Sequence, residues 1–338
     1  MIYAILSVLF LVGVGWVGGA FRNLNLLFGV VLPYVALATF IFGYCYRIIG
    51  WACSPVPFCI PTTCGQQQSL PWIRHDKLES PTSNVWVIAR MALEVLLFRS
   101  LWRNERVEIK GGGKLIFSPK RYLWLGGLLF HWSLAMVLFR HLRFFTEPIF
   151  PGLAAIQGLD GFFEIGVPSL YMSDILILVA ATYLFLRRAY SPQLRLISLP
   201  TDYFALFLLG AIFLSGVLMR HFFKTDVERV KELIMGLVSF RPVVPAQLGA
   251  FFYVHLFLVS ILVAYFPFGK LMHAAGVFLS PTRNLKNDSR MRRYVNPWSY
   301  AVKVHTYEEY EDEFREAMIE AGIPVENEGK AEVKEMRS

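Results

Sequence analysis

Residues 130–145 read FHWSLAMVLFRHLRFF. The stretch continues an apolar run that begins near Tyr122, so it reads as the later part of a membrane-spanning helix. Yet it carries His131 and His141, ten positions apart. An imidazole in hydrocarbon is costly unless a partner satisfies it. What that partner is decides what kind of bundle the chain builds.

The rest of the chain sets the frame. It has 338 residues, 55% hydrophobic and 17% charged, with a mean hydropathy of +0.47. That level of apolarity implies membrane spans. The formal charge of +8 is explained by basic loops facing the cytoplasm, so no nucleic-acid partner is invoked. Cys45, Cys53, Cys59 and Cys64 fall in one short region, and none belongs to the C-x-x-C-H pattern of covalent haem attachment.

Six spans are expected, at 2–20, 26–50, 122–141, 171–188, 202–220 and 248–275. Each is near the ~20 residues that cross the hydrocarbon layer. The first lacks a basic leader and a cleavage site, so it is read as a retained extra helix over 1–25. Residues 85–102 are apolar but interrupted by Arg90, Glu94 and Arg99, and read as an interfacial helix or one packed on the bundle end. RVEIKGGGKLIFS after it reads as a hairpin. With six spans, one side holds nineteen Lys and Arg and the other eight. This places both termini in the cytoplasm, in a multi-pass protein of the cytoplasmic membrane.

Beyond the last span, 279–304 is basic, and from His305 onward eleven acidic residues face four basic ones. Thr306 and Glu309 form a capping-box pattern. Tyr307, Tyr310, Phe314 and Met318 follow at helical steps, until Gly322 and Pro324 stop the run. The aromatic stripe reads either as part of a solvated helix or as a face for a cytoplasmic partner.

Of seven histidines, His75 and His305 lie in polar segments, while four fall on two spans. His255 and His273 are eighteen residues apart, five turns of one continuous helix, so their rings share a face. His131 and His141 sit about 80° apart around an ideal helix, which calls for a local distortion or tilted ring planes. Antiparallel spans then pair His131 with His273 at the inner level and His141 with His255 at the outer level. Two such pairs suit two haems b with bis-histidine iron. Taken singly, each histidine is equally well a polar residue bonded between helices. Haem carboxylates need cations near the membrane faces. Arg140, Arg143 and Arg220 are candidates outside and Lys270 inside, each also readable as a snorkelling residue. Arg143 and His221 are candidates for an outer quinone site.

This histidine pattern resembles the gamma subunit family of respiratory nitrate reductase over about 26–278. The loop segment IPTTCGQQQSLPWI and the lead ERVEIKGGGKLIFSPKRYLW are similar to the DsrM family, membrane cytochromes b of the complex linked to dissimilatory sulfite reduction. That resemblance implies menaquinone as substrate and a heterodisulfide-reductase-like iron–sulfur subunit as cytoplasmic partner. It also implies a multihaem cytochrome c, a periplasmic iron–sulfur subunit and a second quinone-interacting membrane subunit. Cys53, Cys59 and Cys64 match no ordinary zinc or ferredoxin spacing, so the loop, with Pro55, Pro57, Pro61 and Pro71, reads as a rigid docking segment.

The expectation is thus an all-α membrane protein, a six-span bundle binding two haems b. Residues 1–25 form the extra helix, 26–278 the dihaem domain with its cytoplasmic loop 53–121, and 279–338 a cytoplasmic helical tail. Its role is electron transfer between menaquinone and the iron–sulfur subunit. The rivals are an equivalent subunit of a nitrate reductase, hydrogenase or formate dehydrogenase, and a haem-free transporter or scaffold.

Overall fold

The computed structural model describes residues 1–54, 66–70, 72–111, 114–161, 170–288 and 304–326. Cys59, Cys64 and the four loop prolines lie outside these. The chain divides into two units, Met1–Met291 and Arg292–Ser338.

The first unit is a helical bundle. Helix α1 spans Ile2–Ala20. A 3-10 turn at Arg22–Leu24 and a π-helical turn at Leu27–Val31 lead into α2, Leu32–Ala52. Next come α3 (Asn84–Leu97) and the short α4 (Arg99–Trp102). The expected hairpin follows, β1 (Glu105–Lys110) pairing antiparallel with β2 (Lys114–Pro119), Val107 opposite Phe117. Then come α5 (Arg121–His141), α6 (Pro151–Asp160), α7 (Met172–Tyr190), α8 (Pro192–Ile197), α9 (Pro200–His221), α10 (Val227–Val238) and α11 (Ala250–Tyr265). Short α12 (His273–Leu279) and α13 (Pro281–Asn284) close the unit.

Five of the described helical stretches are long and apolar enough to cross a membrane: Ile2–Ala20, Arg22–Ala52, Arg121–Phe144, Pro200–His221 and Ala250–Phe268. The sequence expectation was six. The remaining segment forms α7 at the expected place, but Asp174 in its first turn and Arg187 and Arg188 in its last break its apolar window. Large apolar residues such as Phe10, Phe42 and Leu138 are exposed on these helices, as befits side chains whose solvent is hydrocarbon.

Helix α7 packs between α5 and α9, and α9 packs on α11. Phe130, Ile177, Leu208, Ile212 and Leu258 fill the space between these helices. Within lipid such contacts hold helices by close packing rather than by release of water. Small residues serve the same end for α1. A Cβ on Gly19 would lie 2.7 Å from the Ala250 Cα, and one on Gly15 would lie 3.0 Å from the Val254 Cα. The Gly15-x-x-x-Gly19 spacing thus seats α1 directly against α11.

Helix α3 caps one end of the bundle and is not among the membrane-spanning candidates. Its buried Arg90 donates to the carbonyls of Glu79 and Thr282, and Glu94 pairs with Arg283. Its last carbonyls, which no intrahelical N–H can reach, accept from α5: Trp132 Nε1 bonds Leu96 O at 2.9 Å and Trp124 Nε1 bonds Leu97 O at 2.7 Å. At the opposite end lie α6 and α10, amphipathic pieces that the sequence reading did not assign. Below, the two ends are the hairpin end and the α10 end.

The second unit contains α14, Tyr307–Glu320. The capping box is formed: Thr306 Oγ1 accepts from Glu309 N at 3.3 Å, and Glu309 Oε2 accepts from Thr306 N at 3.1 Å. Gly322, at φ +67°, ends the run. Tyr307, Tyr310 and Phe314 are exposed, and Met318 is buried.

Candidate functional site

Four of the seven histidines meet in two pairs. The rings of His131 and His273 have centroids 5.9 Å apart and planes at 88°. Those of His141 and His255 are 6.4 Å apart with planes at 16°. The backbones of α5 and α11 are not among the closely packed helix pairs of the described residues, so the His141 and His255 rings reach across a space between two helices, while His273 reaches His131 from the start of α12.

Each ring is oriented through Nδ1. His131 bonds Gly127 O at 2.8 Å, His141 bonds Val137 O at 2.7 Å, and His273 bonds Lys270 O at 2.8 Å. A carbonyl only accepts, so the proton in these bonds sits on Nδ1. His255 Nδ1 meets Ser215 Oγ at 2.9 Å, and that hydroxyl lies 2.9 Å from Ile212 O. The hydroxyl hydrogen goes to the Ile212 carbonyl, so Ser215 Oγ accepts from Nδ1–H here too. All four rings therefore keep Nε2 as a lone-pair donor. This is the tautomer and support that metal-ligating histidines use. A metal bound at roughly 2 Å by two coaxial imidazoles sets their centroids about 6 Å apart. Both observed separations fit this, and a haem iron suits the all-imidazole donor set.

The paths to the two pairs differ from the sequence expectation. Residues 248–275 do not form one continuous span. Helix α11 ends at Tyr265, 3-10 turns occupy Phe266–Phe268 and Lys270–Met272, and His273 begins α12. Pro267 explains the break, since its ring lacks an N–H and clashes with the preceding turn. The 80° offset between His131 and His141 called for either a local distortion of their span or tilted ring planes. Helix α5 is regular throughout 121–141, and the break in α11 redirects His273 to its partner. Phe98, at φ 50° between α3 and α4, sets its ring 4.9 Å from His131, edge to face.

The other candidate residues separate. Arg140 is buried at the α10 end, where Nε lies 3.2 Å from Asp160 Oδ2 and the guanidinium also pairs with Asp174. Asp160 accepts from Ser173 N at 2.8 Å and Ser173 Oγ at 2.7 Å. Arg140 and Arg220 each lie over the Tyr171 ring, at 4.0 and 4.1 Å. His221, the last residue of α9, has a buried Nε2 with no hydrogen-bond partner among the described residues. Arg143 lies over the Phe144 ring at 5.6 Å. Lys270 Nζ sits 2.8 Å from Asp202 Oδ1 at the hairpin end. Sequence reasoning missed Asp160, Asp174 and Ser215. The signal for Asp174 was available: a carboxylate at the head of an apolar run needs a cation, and Arg140 ends a neighbouring span.

Residues 85–293, more than half of the chain, match the family model described as nitrate reductase gamma subunit. The chain belongs to that family. All four paired histidines of this nitrate reductase gamma family member fall inside the matched segment, while α1 and α2 precede it. It is also 46% identical over 285 residues to a curated Archaeoglobus fulgidus protein, the Hdr-like menaquinol oxidoreductase cytochrome b-like subunit. That match covers 82% of this chain and 85% of the relative. The Archaeoglobus profundus protein of the same description is 44% identical over 274 residues, covering 79% and 81%. Both matches are longer than the gamma-family segment and so take in residues outside it. They agree with the resemblance to membrane cytochromes b carried by the sequence motifs.

Proposed function

We propose that this chain is a dihaem cytochrome b, the membrane electron-transfer subunit of a menaquinol-oxidising complex. The observation that carries the reading is the pair of histidine couples. Each brings two imidazoles, anchored through Nδ1, to a centroid separation that suits one shared metal. The names of the two Archaeoglobus relatives, cytochrome b-like subunits of an Hdr-like menaquinol oxidoreductase, support the quinol and an Hdr-like complex. The sequence resemblance extends this to sulfite-linked respiration. The partners would be a heterodisulfide-reductase-like iron–sulfur subunit at the cytoplasmic face, a multihaem cytochrome c, a periplasmic iron–sulfur subunit and a second membrane subunit.

In this reading His131 and His273 hold one haem, and His141 and His255 the other. When bound, each haem supplies a reversible one-electron couple. Ten residues along α5 separate the two levels by about 15 Å. The three helix carbonyls and Ser215 fix the ring tautomers, and α7 serves as the sixth span with its charges at the two membrane faces. At the α10 end, the buried His221 Nε2 has no hydrogen-bond partner among the described residues, and an unmet buried nitrogen is costly unless a ligand meets it. His221 thus suits acceptance of a proton from a bound quinol.

Haem assay with a visible spectrum of the purified chain tests the first claim. Two b-type haems per chain are expected, and a colourless protein sinks the reading in favour of a scaffold or transporter. Stopped-flow reduction of the intact complex tests the second. His221→Ala should slow reduction by a menaquinol analogue by roughly a hundredfold, the lower end of the range for loss of a general base. Reduction by dithionite should be unchanged. Equal quinol kinetics remove His221 from the site.

A further inference from the structure

A cleft of about 420 Å³ opens at the hairpin end, where α2, α7 and α11 end and α9 begins; none of the four paired histidines lines it, although Lys270, whose carbonyl holds His273, does. Arg47, Arg188, Asp202, Tyr265, Phe268 and Lys270 contribute to its lining. Asp202 is spoken for several times over. It caps α9 by accepting from Leu199 N at 3.1 Å, holds Lys270 at 2.8 Å and lies 3.6 Å from Arg188. Arg47 makes no ion pair among the described residues; its guanidinium rests 5.8 Å from the Trp51 ring. Two cations thus share one carboxylate while Arg47 stands beside them without one, and the cleft keeps a formal surplus of two positive charges.

The position narrows the ligand. The cleft lies at the ends of three apolar helices, the depth at which a membrane gives way to water. One part of its wall is cationic, and Phe268 and Tyr265 make another part apolar. A soluble anion would use only the first. A phospholipid uses both, with phosphate on the cations and glycerol and proximal chain on the rings. Basic pockets between membrane helices bind acidic lipid headgroups in this way.

We propose that the cleft formed by Arg47, Arg188, Lys270, Tyr265 and Phe268 binds the headgroup of an anionic phospholipid. This requires only that the helices span a bilayer, and it stands or falls independently of haem ligation. It also gives Lys270 a use other than the haem carboxylate contact expected from sequence.

The test uses full-length protein in detergent, titrated with phosphatidylglycerol, phosphatidylcholine or inorganic phosphate. Retained lipid is read by native mass spectrometry, and thermal unfolding is read in parallel. Phosphatidylglycerol should be retained and should raise the unfolding temperature, whereas phosphatidylcholine should do neither. Each cation near an acidic headgroup contributes about fivefold in affinity, so Arg47→Gln should weaken retention by about fivefold and Arg47→Gln with Arg188→Gln by roughly 25-fold. Arg47→Lys should restore most of the loss. Arg47 is exposed on α2, and unfolding of the variants without lipid reports that they fold. Equal retention by the double variant overturns the proposal. Full competition by inorganic phosphate overturns it in favour of a soluble anion. Loss of a haem band with unchanged lipid retention overturns it in favour of cofactor carboxylates.

Discussion

At the α10 end, His141 and His255 both belong to regular helices, and their rings lie nearly parallel, at 16°. At the hairpin end, His131 is on a regular helix but His273 opens a short one beyond a proline break, and the planes stand at 88°. The supports differ as well. His255 leans on a serine of α9, whereas His273 leans on the carbonyl of Lys270 within its own turn. One pair is thus a product of helix register and neighbouring helix packing. The other is a product of local chain geometry. The same donor set has been assembled by two routes, and each should fail in its own way.

The largest effect expected on the proposed function is from the four paired histidines. His131→Ala and His273→Ala should abolish the same b-haem, and His141→Ala and His255→Ala the other, as read by redox-resolved spectra. Loss of a single centre by both His131→Ala and His255→Ala would break the pairing. A smaller effect should separate the ends by packing. Gly19→Leu drives a side chain into the α11 backbone at Ala250 and should cost about 1–3 kcal/mol, the range for overpacking. Thermal unfolding should fall, and the His141–His255 centre should be perturbed before the other. If the hairpin-end centre suffers first, α1 does not act through the regular part of α11. The smallest effect belongs to Ser215→Ala, which removes the partner of His255 Nδ1. Loss of such an outer support costs roughly tenfold or more in metal affinity. Haem retention at the α10 end should weaken by that factor while the hairpin-end centre stays unaltered. Equal weakening of both would mean that the serine acts on the whole bundle.

Apolar runs were legible because the bilayer imposes length and composition, and five expected spans fall on helices of nearly the same bounds. The capping box at Thr306 and the Gly-centred hairpin were legible because their signals are local. The run 248–275 was misread as one helix, although Phe266, Pro267, Phe268 and Gly269 announce a break. Hydropathy outweighed the proline. The rings expected to face each other do lie close, because that depends on which helix ends meet, whereas the five-turn arithmetic failed at the break in α11. The triad of Arg140, Asp160 and Asp174 was missed because its members lie on three elements, and no spacing along the chain reports such a meeting. Helix α10 was readable from Asp226 as N-cap and from Val227, Val230, Ile234 and Leu237 at helical steps. It was overlooked beside stronger membrane signals.

Helix α3 has a consequence in time. Its apolar stretch is synthesised before most of the groups that hold it at the bundle end, Glu79 being the upstream exception. The tryptophans that close its last carbonyls arrive with α5, and the carbonyl and guanidinium that engage Arg90 and Glu94 belong to Thr282 and Arg283. Between Leu97 and Arg283 a ribosome working at 5–20 residues per second needs on the order of 10–40 s. Through that interval the segment faces the insertion machinery with only its own charges, among them Arg90 and Glu94 one turn apart, to keep it from entering the bilayer as a misplaced span. Replacing Arg90 and Glu94 by leucine is therefore expected to expose this interval, as a fraction of chains with α3 inserted as an extra span, read by glycosylation or cysteine-accessibility mapping.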